Sequence, residues 1–177
     1  MEEIHLSDMV SIKEIWQGEV NADSFSSLNS VLIQRCLKLD KIFPSHMQGW
    51  FASLSSLKVY NCKSVEVIFE IKDSQQIDAP GGIDTNLQHI DLGNLPNLNK
   101  VWSTDPRGIL NFKKMRSTRV SWCKKLKNVF PASVAKDVQQ LKHMLVWGCE
   151  EMVEIVACED EIETNSEPLV SKIEEIG

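Results

Sequence analysis

The sequence predicts a short α/β solenoid of about six coils. Each coil would give one strand to a parallel concave sheet and return through short convex helices and irregular loops. Two observations carry this. Four cysteines stand in one frame, in IQRCLKLDKIF (33–43), VYNCKSVEVIF (59–69), VSWCKKLKNVFP (120–131) and VWGCEEMVEIV (146–156). Around them the apolar residues recur at constant offset: Leu54, Leu57, Val59, Cys62, Val65 and Ile68 follow Leu28, Val31, Ile33, Cys36, Leu39 and Ile42 by 26 at every position.

The same offset of 26 relates Met115, Thr118, Val120, Cys123, Leu126 and Val129 to Leu141, Met144, Val146, Cys149, Met152 and Ile155. Two further segments share the frame without its cysteine: Leu87, Ile90, Leu92, Leu95, Leu98 and Val101, and, 86 residues before the last five of these, Ile4, Leu6, Met9, Ile12 and Ile15. The closing apolar residues lie at 15, 42, 68, 101, 129 and 155, spaced by 27, 26, 33, 28 and 26. An order L-x-x-L-x-L-x-x-N/C-x-x-L at this period is that of leucine-rich repeats, in which each unit supplies a strand and a return segment. The cysteine falls where the chain leaves the strand and turns inward. Cys36, Cys62, Cys123 and Cys149 therefore form a structural ladder of buried thiols that hydrogen-bond to nearby backbone.

A zinc site needs cysteines in close pairs, whereas these four are at least 26 apart, with only His5, His46, His89 and His143 to add. Neither metal nor other cofactor is expected. Cys158 lies outside the frame and reads as a surface thiol.

The return segments are of two kinds. FPSHMQGWFASL (43–54) and FPASVAKDVQQL (130–141) predict short helices, the second with Pro131 in its first turn and Val134, Val138 and Leu141 at helical spacing. IWQGEVNADSFSSL (15–28) and VWSTDPRGILNFKKM (101–115) hold Gly, Pro, Asn and Asp and predict turns and irregular loops. The long interval reflects a loop insertion at 70–86. The chain is expected to form one solenoid over 1–158 and an acidic tail or cap at 159–177. Trp16 and Trp102 are 86 apart at matched positions, which makes them packing residues.

Composition narrows the function. The apolar share of 42% suffices for a core, and a formal charge of −6 gives no reason to expect nucleic acid. Neither a secretory leader nor a membrane-length apolar run is visible, and five cysteines in such a chain fit reduced thiols, so a cytoplasmic protein is expected. Six strands would span only about 24 Å. With its first coil starting almost at Met1, the chain is expected to belong to a longer array, lean on a partner, or self-associate through that uncapped coil.

The pattern L-x-x-I-x-L-x-x-L-P-x-L-x-x-V-W (87–102), followed by F-x-x-M-x-x-T-x-V-x-x-C-x-x-L-x-x-V-F-P-A-S-V-A-K-D-V-x-x-L (112–141), is more particular than a generic repeat. It resembles the C-terminal leucine-rich repeats of plant intracellular disease-resistance proteins of the coiled-coil, nucleotide-binding type. FPASVAKDVQQL and VWGCEEMVEIVACEDE match most closely, with looser agreement over 4–160. The resemblance implies a role in defence, the repeats restraining a nucleotide switch or recognising a pathogen effector or a host guardee. There is no G-x-x-x-x-G-K-[ST] loop, and Gly81-Gly82 has no Lys after it, so the nucleotide chemistry does not transfer. Thr118 and Met144 stand where that pattern prefers Leu, which predicts a less well packed fifth strand.

No catalytic motif is present, neither G-x-S-x-G nor H-E-x-x-H, and no enzyme is expected. Strand alternation aims a second set of residues onto the concave face: His5, Leu32, Gln34, Lys58, Tyr60, His89, Asp91, Arg119, Ser121, His143, Leu145 and Trp147. Among these Lys58, Tyr60, His89, Asp91, Arg119, Ser121, Leu145 and Trp147 are the candidate protein-binding residues. The partner would be an effector, a host protein or a nucleotide-binding domain. The alternatives are a substrate-recruiting repeat module of a ubiquitin ligase and a truncated fragment without activity of its own.

Overall fold

In the computed structural model, which describes residues 2–16, 25–45, 52–71 and 82–157, the apolar frame becomes a stack of parallel strands. In chain order the elements are β1 (Glu3–Ser7), β2 (Ser30–Gln34), β3 (Lys41–Phe43), β4 (Ser56–Tyr60), β5 (Val67–Phe69), β6 (Ile83–Asp84), β7 (His89–Gly93), β8 (Lys100–Trp102), β9 (Leu110–Asn111), β10 (Ser117–Ser121), α1 (Ala132–Asp137) and β11 (His143–Trp147). A six-stranded sheet runs β1-β2-β4-β7-β10-β11, a three-stranded one β3-β5-β8, and β6 pairs with β9. Every pairing is parallel, because each turn brings the chain back to its starting direction. The described residues form a parallel-sheet solenoid of about four turns with little helix.

Register follows the apolar frame without a slip. Val31, Leu57, Ile90 and Thr118 are cross-strand partners, as are Ile33, Val59, Leu92 and Val120. These columns fill the core, with Leu39, Val65, Leu98 and Leu126 all at 0% exposure in the turn beneath. Each such side chain contributes about 1.5–3 kcal/mol by leaving water. Burial weakens at the two edge strands: Ile4 and Leu6 of β1 and Met144 and Val146 of β11 are half-buried.

Two hydrogen-bond columns hold the turns together. Before each strand one carbonyl accepts two amides from the next turn: Asn29 from Ser55 (2.8 Å) and Ser56 (3.0 Å), Gln88 from Arg116 (2.8 Å) and Ser117 (3.0 Å). After each strand a residue in the left-handed region points its amide the other way. Asp8, Arg35, Asn61, Asn94 and Trp122 have φ of 61°, 55°, 57°, 53° and 54°, and each donates to a carbonyl of the following turn at 2.9–3.1 Å. Gly148 continues the column with φ 67°.

The return segments depart from expectation. Among the described residues only α1 is α-helical, within the predicted 130–141 stretch. The other predicted helix, at 43–54, has its centre, 46–51, outside the described residues. Strands also form where none was expected: β3, β5 and β8, at the ends of the repeat-frame segments, make a second parallel sheet, and β9 lies within the predicted loop 101–115. The cause is aromatic stacking. Phe43 stacks on Phe69 (centroids 5.5 Å, 11° between planes) and Phe69 on Trp102 (5.7 Å, 28°), with Trp16 stacked beyond Phe43 at 6.1 Å. This spacing holds the backbones at strand distance. Trp16 and Trp102 are 8% and 5% exposed, members of this ladder, and Trp16 Nε1 donates to the Ile42 carbonyl at 2.7 Å.

The inserted segment is likewise not all loop. Residues 72–81 lie outside the described residues, but β6 comes next, and Thr85, 1% exposed, donates through Oγ1 to the Asn111 carbonyl at 2.9 Å. Gly82 (φ 74°) crosses close to Gly108, where a Cβ would come within 3.0 Å of the backbone. Only glycine fits both demands.

Candidate protein-docking surface

The strands present three rows on the concave face. By register the first holds Glu3, Ser30, Ser56, His89, Ser117 and His143, and the second His5, Leu32, Lys58, Asp91, Arg119 and Leu145. The third holds Ser7, Gln34, Tyr60, Gly93, Ser121 and Trp147. Over β4, β7, β10 and β11 they enclose a shallow cavity of about 270 Å³, lined among others by Lys58, His89, Asp91, Arg119, His143 and Leu145.

Charge alternates along the middle row. Arg119 Nη1 contacts Asp91 Oδ2 at 2.6 Å, with the Asp91 side chain 13% exposed and that of Arg119 52% exposed. Beyond Asp91 stands Lys58, exposed and without a carboxylate within salt-bridge distance among the described residues. His89 Nδ1 and Ser117 Oγ are 2.8 Å apart. Tyr60 lies over Gly93, whose missing side chain makes the room: a Cβ there would be 2.8 Å from Tyr60 Cδ1. Burial, then hydrogen bonding to Asp91, pushes the Tyr60 hydroxyl up to about 12. It is held neutral.

The candidate residues therefore separate. Lys58, His89, Arg119, Leu145 and Trp147 are exposed, Leu145 at 51% and Trp147 at 43%. Asp91 and Tyr60 are half-buried, and Asp91 holds Arg119 by an ion pair. Ser121 is only 8% exposed and belongs to the floor, because Gly93 on one side lets Tyr60 close over that row. Ser56, Ser117 and Trp122 were missed. The two serines differ in no way from any solvated serine until the register aligns them. Trp122, 53% exposed, stands just past the strand, where alternation no longer tells which way a side chain points. Its ring covers Gly148, at which a Cβ would come within 2.6 Å of Cε3.

The cysteines close their own turns. Cys36, Cys62, Cys123 and Cys149 donate to the carbonyls of Gln34 (3.6 Å), Tyr60 (3.3 Å), Ser121 (3.5 Å) and Trp147 (3.6 Å), two residues before each. Cys36, Cys62 and Cys123 are 0% exposed. Burial pushes the Cys62 thiol up to about 11 and the Cys123 thiol up to about 12. Such thiols are poor nucleophiles and poor metal ligands. Among the described residues no group of three or more His, Cys, Asp or Glu is gathered for a metal ion, and no helix is long and apolar enough to cross a membrane.

A parallel solenoid in which each turn returns one strand to the large sheet, with buried cysteines just past several of those strands, has the build of a leucine-rich repeat module. Residues 1–150 match the family model of plant disease resistance protein RPS2-like leucine-rich repeats, and the chain belongs to that family. Comparison with curated proteins and with solved structures gives no match.

Proposed function

We propose that the chain is a cytoplasmic, non-enzymatic protein-binding module of plant disease resistance, working through its concave face. It takes 1–158 as one solenoid of six coils, one for each strand of the large sheet, and 159–177 as an acidic extension. The partner is a pathogen effector, a host protein or a nucleotide-binding domain. One observation carries this reading: exposed Lys58, Arg119 and Leu145 line a shallow cavity on a sheet of fixed register, with exposed Trp147 two residues beyond Leu145 on the same strand. Aromatic residues and arginine anchor interfaces far more often than their abundance suggests. Family membership supports the setting in defence.

The test is co-precipitation of the tagged chain from leaf cells, beside a variant carrying Arg119→Ala, Leu145→Ala and Trp147→Ala. A stoichiometric partner whose recovery falls at least about tenfold with the variant is expected, the loss typical of removing interface anchors. A partner retained equally by both would sink the concave-face reading.

A further inference from the structure

If the concave face docks a partner, as proposed above, the same rows also set the chemistry of that partner. Lys58 and Arg119 stand two strands apart in one row, with Asp91 between them. Asp91 is already neutralised: Arg119 contacts it at 2.6 Å, and its side chain is 13% exposed. Among the described residues Lys58 has no carboxylate within salt-bridge distance, and Arg119, 52% exposed, keeps guanidinium donors free of that single contact. The row therefore has one surplus positive charge at its centre. Such a bias is local, since the whole chain has a formal charge of −6.

Next to this centre the surface turns apolar. Leu145 follows Arg119 in the same row, one strand on, and Trp147 lies beside it on β11. A partner crossing the strands would meet cations over β4 to β10 and a leucine–tryptophan surface over β11. From Asp91 to Leu145 is two strand spacings, about 10 Å. An extended peptide covers that distance in about three residues.

We infer that the concave face recognises an extended acidic–apolar segment of a protein partner. A Glu or Asp carboxylate sits between Lys58 and Arg119, and a large apolar side chain about three residues away covers Leu145 and Trp147. Asp91 is a competitor in place: it occupies Arg119 until a partner carboxylate shares the guanidinium. Removing its charge strengthens the site, while removing the Lys58 charge weakens it. A surface that merely tolerated any polar partner would respond to neither in this opposed way.

The experiment uses the full chain, isotopically labelled, titrated in the NMR spectrometer at fixed ionic strength. The probes are capped Ser/Gly peptides with Glu and Phe three positions apart, and the same peptides with Gln for Glu or Ala for Phe. Saturable shifts centred on Lys58, Arg119, Leu145 and Trp147 are expected for the Glu/Phe peptide, with binding about fivefold weaker for each control, the scale of one exposed charge pair. Lys58→Gln should weaken the Glu/Phe peptide by a similar factor, and Asp91→Asn should tighten it by about twofold to fivefold. Equal binding of the Glu and Gln peptides at these residues would overturn the acidic specificity and leave concave docking intact. Shifts confined to other surfaces would overturn both, and no saturable shift with any peptide would overturn this inference alone. If binding appears only after Glu159, Asp160, Glu161 and Glu163 are changed to their amides, the chain's own acidic segment is the occupant, and the partner assignment is wrong.

Discussion

Trp122 is the residue whose backbone least suits its side chain. It sits at φ 54° in a column otherwise filled by Asp8, Arg35, Asn61, Asn94 and Gly148, of which Asn, Asp and Gly tolerate the left-handed region well. Trp122→Asn is expected to raise stability by about 1 kcal/mol in urea unfolding, the relief of strain exceeding the loss of an exposed ring. Gly148→Ala should act in the opposite sense, by about 1–3 kcal/mol, because its Cβ meets the Trp122 ring and its φ is positive. Thr118 offers a second local gain: it is 2% exposed and its hydroxyl has no hydrogen-bond partner among the described residues. Thr118→Val keeps the shape, removes the orphaned group and should add about 1 kcal/mol on the same assay. The thiols set the response to alkali. Cys62 and Cys123 ionise at about 11 and about 12 in the fold, above the ordinary 9.0, so between those values the unfolded chain holds fewer protons than the folded one. Stability is then full below about pH 9 and falls as pH rises toward 12, with Tyr60 adding to the loss above about pH 10. Replacing both cysteines with alanine should flatten that slope, measured as unfolding midpoint against pH.

At the scale of the element, the large sheet was legible in the sequence and the second sheet was not. Its strands carry an alternation that survives in every turn, so the offset of 26 alone predicts pairings such as Leu57 with Val31. The second sheet rests on three-residue strands, KIF, VIF and KVW, too short to show any period. What marks them is an aromatic residue at the same place in successive turns, a signal of stacking between turns and not within a strand. The Phe-Pro and Gly-rich segments around them suggested helix and loop, and inter-turn packing overrode those local preferences. The concave site was legible as a set of directions only. Which of its residues are free depended on contacts such as Tyr60 closing over Gly93, which no spacing encodes. The aromatic ladder also yields a prediction. Phe69 is stacked on both sides, against Phe43 and Trp102, and is 1% exposed. Phe69→Ala should cost about 3–5 kcal/mol, seen as a shifted denaturation midpoint and as lost near-ultraviolet dichroism from the tryptophans.

For the molecule as a whole, each turn touches chiefly the turn before and the turn after, so stability is a sum along one axis. Its charge is divided along the sequence: residues 159–177 carry seven acidic and one basic residue, which accounts for the whole formal charge of −6. Residues 1–158 carry no net formal charge. The two hydrogen-bond columns that join successive turns, running in opposite senses between amides and carbonyls, have a mechanical meaning as well. They lie along the direction in which the chain would be pulled if its two ends were drawn apart. Under such a load the bonds of one interface open before those of the next are strained, and the coil should peel turn by turn at low force. Each release would lengthen the tether by about 9 nm, the extended span of some 26 residues. A protein of this build would behave as a compliant spring, giving way in steps where a sheet loaded across its strands would hold and then fail at once.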